Sequence, residues 1–321
     1  MSLLDKLETI LILVAIGLGL ALGQVGLVGP WAKKLISPFL VVMLFGLFVK
    51  TPLAEIGKCF KNLKFTLTSL GINFIWIPIL GYGLGAIFLQ NPDLRIGYLM
   101  LLVTPCTDWY LIFTALAKGN VTLSTSILPM NLIVQVILLP FYLLIFAGLA
   151  GSVQLEPLAA SVFWTVILPL GSSLLIKWLI QAQSPIRQSL DRFFAHGVFL
   201  FLWLAIFCVF ASEARQVWDN PTQFKILFPP VILFFGINFF VGRLAGSLGR
   251  FSHEDSVSLT MTTLARNSPV ALAVAVVAFP AQPLIALALV IGPLIELPVL
   301  AVVAQALLWI GRGQRSRALN G

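Results

Sequence analysis

Apolar residues along this chain form continuous runs, which are separated by short polar segments. About 20 apolar residues in a helix span the hydrocarbon core of a bilayer, and only helices or closed barrels satisfy their backbone hydrogen bonds in lipid. Because the runs are continuous rather than alternating, they predict helices and exclude a barrel. We predict ten membrane-spanning helices, at residues 9–29, 31–49, 65–89, 95–117, 121–150, 157–181, 193–213, 226–248, 255–279 and 283–310.

The composition is also that of a membrane protein. The chain has 321 residues, of which 59% are hydrophobic and 10% are charged, and a soluble protein with so few charges could not cover its surface. A net charge of +8 would suit a nucleic-acid ligand. The basic residues are spread over many short loops, however, so we predict no nucleic-acid partner and assign the charge to membrane topology.

Lysine and arginine predict the orientation of the spans. The side that holds both termini and the loops after spans 2, 4, 6 and 8 carries 14 of the 20 Lys and Arg residues. Arg266 lies within a span, and the opposite side carries Lys33, Lys34, Arg95, Arg215 and Lys225. Because cationic loops stay in the cytoplasm, we expect a multi-pass protein of the plasma (inner) membrane with both termini cytoplasmic.

Two interrupted spans suggest an internal repeat. Ten spans divide into two halves of five, and an odd number per half makes the second half inverted. We predict a first repeat at 1–150, a second at 151–312 and a cytoplasmic tail at 313–321. The fourth span of each half is interrupted, at 104–108 and at 266–269, by proline and polar residues. In secondary transporters with inverted repeats, broken helices meet at a substrate site near the bilayer midplane.

Three ionisable residues lie near the middle of predicted spans: Asp108, Arg266 and Glu296. A charge at membrane depth costs about 2.5–3.5 kcal/mol on insertion scales and usually has a function. We therefore predict a substrate or proton site that includes these residues. A purely structural ion pair between Asp108 and Arg266 is the alternative.

Cys106 follows the helix-breaking Pro105. If a half-helix begins there, its positive dipole end would favour a thiolate, which is a soft ligand suited to soft metals and metalloids. The alternative is a small apolar core residue, as most buried cysteines are. Asn131 and Gln135 are four residues apart and face the same way on span 5, where they either line a cavity or bond neighbouring helices.

Other functional classes have weaker support. The sequence contains no phosphate-binding loop, HExxH or GxSxG motif, so we predict no ATP use, no hydrolysis and no cofactor. His196 and His253 lack metal-ligand spacing, and we predict no resident metal. A membrane enzyme with Cys106 as nucleophile would lack a nearby base, and a receptor or scaffold would not need two matching broken helices.

At the first interruption the sequence resembles a known family. PCTDWYLIFTALAKGN, residues 105–120, resembles the span-4 signature of the arsenite-efflux permeases of arsenical resistance, a branch of the bile acid/sodium symporter superfamily. Asn131 falls where that family carries an asparagine, and IGPLIELPVL, residues 291–300, is similar to its span-10 pattern. The resemblance covers the whole chain in length, span number and repeat plan.

The resemblance implies both an architecture and a mechanism. Spans 1, 2, 6 and 7 would form a panel and the others a core, in which the broken spans 4 and 9 cross at the site. Cys106 would be the arsenite-liganding thiol, and proton influx would drive efflux.

The chain also departs from the family. Asp108, Trp109 and Tyr110 follow the Pro-Cys-Thr motif, where the efflux family has small or apolar residues, and Val270 stands at its acidic position in span 9.

Two further departures concern cation coupling. Where the sodium-coupled branch has sodium ligands, this chain has Arg266 and Thr262. A sodium site that loses a carboxylate and gains a guanidinium is disfavoured on charge grounds. We therefore expect Arg266 to occupy the space of a sodium ion, paired with Asp108, and Glu296 to load and release the proton.

The predicted function is a proton-linked secondary transporter that exports arsenite or antimonite. The alternative is a sodium- or proton-coupled transporter of an organic anion, in which Arg266 binds the carboxylate and Trp109 and Tyr110 stack on the substrate. The predicted substrate-binding residues are Pro105, Cys106, Thr107, Asp108, Trp109, Asn131, Arg266, Asn267 and Ser268, and the predicted proton-coupling residues are Glu296 and Asp108.

Overall fold

A computed structural model describes residues 3–51, 53–106, 109–148, 163–180, 184–219 and 221–320. Over these residues the chain is helical and contains no strand, as predicted. The α-helices are α1 (Leu3–Leu22), α2 (Val28–Lys50), α3 (Leu63–Gly71), α4 (Ile77–Phe88), α5 (Pro92–Leu102), α6 (Trp109–Leu116), α7 (Val121–Gly148), α8 (Leu168–Leu179), α9 (Pro185–Ser212), α10 (Ala214–Asp219), α11 (Pro221–Lys225), α12 (Phe228–Leu248), α13 (His253–Leu264), α14 (Ser268–Ala278) and α15 (Pro283–Asn320). A 3₁₀-helix at Leu53–Asn62 precedes α3, and π-helical turns at Ile72–Trp76 and Phe163–Ile167 precede α4 and α8.

Several of these helices are long and apolar enough to cross a membrane. Five pass this criterion in the described chain, and a sixth passes if the bent pair Pro185–Phe194 and Gly197–Ser212 counts as one span. The five are Val28–Lys50, Gly57–Phe88, Val121–Ile145, Phe228–Leu248 and Pro283–Gly311. An all-helical protein with several membrane-length helices is therefore confirmed, while the ten-span count and the two halves remain predictions.

Some helix ends differ from the predicted boundaries. The first helix stops at Leu22 rather than at 29, because the glycine-rich GQVG segment turns there. α9 begins at Pro185 rather than at 193, since proline is favourable in the first turn of a helix. The last helix continues to Asn320, into the predicted tail at 313–321, because the residues there are mostly good helix formers.

Both predicted interruptions are present. One chain segment leaves helix at Leu102 and resumes it at Trp109, and the other leaves it at Leu264 and resumes it at Ser268. The helices around them pack in two groups. In the first group, α9 packs on α1 and α2, and α2 also contacts α8. In the second group, α12 packs on α13, and α15 packs on α5 and α14.

The turn between α6 and α7 docks onto the start of α13. Asn120 donates its backbone N–H to the carbonyl of Glu254 (3.1 Å) and its side-chain amide to Oδ1 of Asp255 (2.8 Å). Gly119 allows this close approach, because a Cβ there would lie 2.8 Å from the side chains of Thr114 and Val257. The turn after α6, which follows the first break, is thus hydrogen-bonded to α13, which precedes the second break.

Candidate functional site

The two helix breaks are joined through their backbones. Cys106 donates its N–H to the carbonyl of Ala265 (3.0 Å), and Asn267 donates its N–H to the carbonyl of Thr104 (2.6 Å). Pro105 and Arg266 thereby form an isolated antiparallel β-bridge. Backbone groups freed by a helix break need partners at membrane depth, and here each break supplies them to the other.

The polar side chains of the second break stabilise its local structure. Asn267 caps α14, since its Oδ1 accepts the N–H of Val270 at 3.2 Å. Ser268 donates its hydroxyl to the carbonyl of Leu289 on α15. Both side chains are buried, so the predicted site residues Asn267 and Ser268 lie at the junction and help to hold its shape.

Arg266 joins the ends of two broken helices. Its side chain is only 2% exposed, and four of the five N–H donors of a guanidinium have described acceptors. These acceptors are the carbonyls of Leu102 (2.8 Å), Thr263 (2.8 Å) and Leu264 (3.3 Å) and the Oδ1 of Asn73 (2.8 Å). Because Leu102 ends α5 and Leu264 ends α13, the cation lies at two negative helix-dipole ends.

Glu296 reaches the same residue from α15. Its Oε1 accepts the backbone N–H of Arg266 at 2.7 Å, and its side chain is 4% exposed. A buried carboxylate is costly unless it is paired, hydrogen-bonded or protonated. Glu296 therefore sits where a change in its charge would act directly on the second break.

A pair of buried amides lies on α7. Asn131 and Gln135 are completely buried, and none of their four side-chain N and O atoms has a hydrogen-bond partner among the described residues. They follow Ser124 by seven and eleven residues, which places them on the same helical face. The backbone carbonyl of Ser124 accepts the hydroxyl of Tyr110 on α6 at 2.6 Å, which joins the start of α7 to the helix that follows the first break.

Part of the predicted site lies outside the described residues. This holds for Thr107, for Asp108 and for the side chain of Trp109, so their roles, including the Asp108–Arg266 ion pair, remain predictions. Tyr110 is completely buried, with its hydroxyl bonded between α6 and α7. The predicted stacking of Tyr110 on an organic substrate is therefore not favoured, and Tyr110 packs two helices together instead.

Asn73 is the contact residue that the sequence interpretation missed. It is completely buried in the π-helical turn between α3 and α4, and its amide oxygen accepts from Nη2 of Arg266. The available signal was an amide in the middle of an apolar run, which is costly in a membrane helix unless it has a partner. No group of three or more His, Cys, Asp or Glu residues able to hold a metal ion occurs in the described parts of the chain.

Comparisons with known proteins give a consistent result. A family profile described as Sodium Bile acid symporter family matches residues 37–220, which is more than half of the chain. The arsenical-resistance protein Acr3 of Corynebacterium glutamicum is 27% identical, over 97% of this chain and 90% of that protein. Acr3 of Alkaliphilus metalliredigens is 22% identical, over 92% and 90% respectively. An uncharacterized sodium-dependent transporter of Bacillus subtilis, YocS, is 21% identical, over 78% and 76%.

Proposed function

Because this chain belongs to the sodium bile acid symporter family, whose members are membrane transporters, we propose that it is a proton-linked exporter of arsenite or antimonite. The family resemblance predicted from the sequence is confirmed, and arsenical-resistance proteins are among its relatives. The family and the named relatives are transporters rather than enzymes, which excludes the enzyme class considered above. We propose the substrate, the direction of transport and the coupling ion.

The arrangement of Arg266 beside Cys106 carries the proposal. Four guanidinium donors of Arg266 are already bonded to neutral oxygens, so little of the group is left to bind a carboxylate in the bidentate way. This counts against an organic-anion substrate recognised by Arg266. Cys106 lies at the same junction, and its thiol is a suitable ligand for a soft metalloid. Arsenite is a neutral hydroxide at neutral pH and needs no cation to bind it.

The amides on α7 suit the hydroxyl groups of such a substrate. A side-chain amide can donate two hydrogen bonds and accept two, and a metalloid hydroxide both donates and accepts. Unpartnered buried amides are costly, so we expect a polar solute or water to pair with Asn131 and Gln135. In this proposal Cys106 binds the arsenic atom and Asn131 binds its hydroxyls, while Pro105, Thr107, Asp108, Trp109, Asn267 and Ser268 complete the site.

We infer that Arg266 replaces a coupling cation. Carbonyl oxygens at helix ends are typical ligands for an alkali cation in transporters with broken helices, and here a tethered guanidinium occupies such a position. Sodium coupling is therefore disfavoured. Glu296 is proposed to exchange the proton, because protonation would weaken its acceptance of the Arg266 N–H and so loosen the second break.

The proposed architecture is that of ten spans in two inverted repeats, at 1–150 and 151–312. The matched interruptions of α5–α6 and α13–α14 support it, with these pairs as crossing spans 4 and 9. The packing of α1, α2, α8 and α9 on one another supports a panel of spans 1, 2, 6 and 7. The lysine and arginine distribution supports cytoplasmic termini in the plasma membrane.

A growth assay tests the proposed function. In an arsenite-sensitive host, expression should restore survival and lower the metalloid content of the cells. Cys106→Ser should abolish both effects. Cys208→Ser, which alters a buried thiol of α9 away from the breaks, should leave both effects intact. Equal protection by the Cys106→Ser variant and the wild type would refute the assignment, and no protection by the wild type would refute arsenite export.

A further inference from the structure

A cavity unrelated to the helix breaks lies between the α1–α2 turn and the end of α9. It has a volume of about 580 Å³, and its lining includes Lys33, Ser212, Glu213 and Arg215 together with glycine backbone at residues 23–29. We propose that this cavity binds the phosphate of an anionic phospholipid headgroup. The site is independent of the proposed transport function and of the residues assigned to it.

Two cations converge on the cavity from different elements. Lys33 comes from α2 and Arg215 from α10, and both are solvent-exposed. They belong to the side that is predicted to carry only five of the 20 Lys and Arg residues, and two of those five line this one cavity. Topology favours few cations on this side, so their convergence on one site points to an anionic ligand.

Exposed tryptophans place the cavity at the depth of lipid phosphates. Trp31, two residues before Lys33, is 65% exposed, and Trp218, three residues after Arg215, is 60% exposed. Tryptophan is enriched at the headgroup level of a bilayer, and both of these residues flank the cations that line the cavity. A lipid phosphate is therefore favoured over a phosphate dissolved in bulk water.

The cavity wall is open because its turn is rich in glycine. Gly26 lies in this wall, and a Cβ there would meet no atom within 4 Å. Gly23 brings the end of α1 against the carbonyl of Ala211 on α9, where a side chain would clash. The turn thus joins α1 to α9 while leaving room for a headgroup between them.

Glu213 makes the site sensitive to pH. Burial raises the pKa of its carboxyl above the ordinary value, and nearby Lys33 lowers that pKa in part. The charged groups that face it are Lys33 from α2 and Arg215 from α10, while the α1–α2 turn offers glycine backbone. When the pH falls, Glu213 is neutralised and two cations remain, so binding of an anion should strengthen on acidification.

Lipid retention in nanodiscs tests the proposal. The full-length protein is placed in nanodiscs of phosphatidylcholine and phosphatidylglycerol in equal amounts, and retained lipids are counted by native mass spectrometry. Lys33→Gln and Arg215→Gln should each lower the preference for phosphatidylglycerol about fivefold, which is typical of one surface cation. The matched variants Lys34→Gln and Lys225→Gln alter exposed cations that are predicted to lie on the same side but do not line the cavity. They should change the preference for phosphatidylglycerol little. An equal loss in all four variants, or no loss in the first two, would overturn the proposal.

Two further measurements exclude misfolding as the cause of a loss and distinguish a lipid phosphate from dissolved phosphate. Glu213→Gln should increase retention of phosphatidylglycerol at neutral pH and remove its pH dependence, a gain that an unfolded variant cannot produce. Unchanged retention in this variant would count against the site. Inorganic phosphate should not displace the lipid at millimolar concentration; if it does, the ligand is a dissolved anion and the lipid assignment is wrong.

Discussion

Arg266 donates its backbone N–H to the carboxylate of Glu296 at 2.7 Å, while its guanidinium bonds the last carbonyls of α5 and α13. One residue therefore connects a buried acidic group on α15 to the ends of both broken segments. At the same junction Cys106 donates its N–H to the carbonyl of Ala265. Only a few bonds therefore separate a change in the charge of Glu296 from Cys106, the proposed substrate ligand.

Replacing Arg266 should damage both stability and transport. Arg266→Gln leaves several buried carbonyl groups without donors, and each lost partner costs about 1–3 kcal/mol, so we expect a lower melting temperature and no export. Arg266→Lys keeps the charge but cannot reproduce the planar guanidinium with its several donors. This variant should therefore retain only part of the stability and part of the transport. Thermal unfolding in detergent and cellular arsenite content measure these effects.

Arg243→Gln is the control for that experiment. Arg243 lies on α12, is partly buried and donates to the hydroxyl of Ser256 at 3.0 Å, away from the helix breaks. This variant should resemble the wild type in transport. Wild-type transport by Arg266→Gln would contradict the role of the guanidinium as a fixed cation.

Glu296→Gln should uncouple transport from the proton gradient. Glutamine retains an oxygen that can accept the Arg266 N–H, so the fold should persist, but it cannot exchange a proton. We expect binding of arsenite to remain and gradient-driven transport to disappear, as measured by binding to purified protein and flux in vesicles. The control is Glu213→Gln, which changes a carboxylate outside the breaks, and normal flux in the Glu296 variant would remove its proposed role.

The α7 amides should affect affinity and stability in opposite directions. Asn131→Leu and Gln135→Leu remove buried polar atoms that lack described partners, so the unliganded protein should become more stable. Each change should also remove hydrogen bonds to substrate and raise the KM for arsenite about two- to tenfold. Gln305→Leu, an exposed position on α15, should alter neither quantity, and a stability loss without a KM change would indicate a structural role only.

Much of the fold could be predicted because local sequence patterns determine where membrane helices form and where they are interrupted. Apolar runs predicted the helices, and proline beside polar residues predicted the interruptions in α5–α6 and α13–α14. Helix ends were less accurate where the signal was weak, as at Leu22, where a glycine turn closes the helix early. A family signature at 105–120 identified the family before any geometry was available.

The contacts within the site could not be predicted to the same degree. The acceptors of Arg266 come from α5, from α13 and from the turn before α4, and no local pattern encodes which distant carbonyls a guanidinium will reach. Asn73 is an example, since it lies 193 residues from Arg266 in the chain. In the organic-anion alternative Tyr110 was expected to stack on the substrate, whereas it is completely buried and hydrogen-bonded to α7.

Arsenite uptake by everted membrane vesicles in sodium-free buffer tests proton-driven export through Cys106 most directly. Acidifying the vesicle lumen should drive uptake, added sodium should not change its rate, and the Cys106→Ser variant should show none. A strict requirement for sodium, or equal uptake by the Cys106→Ser variant, would contradict the account.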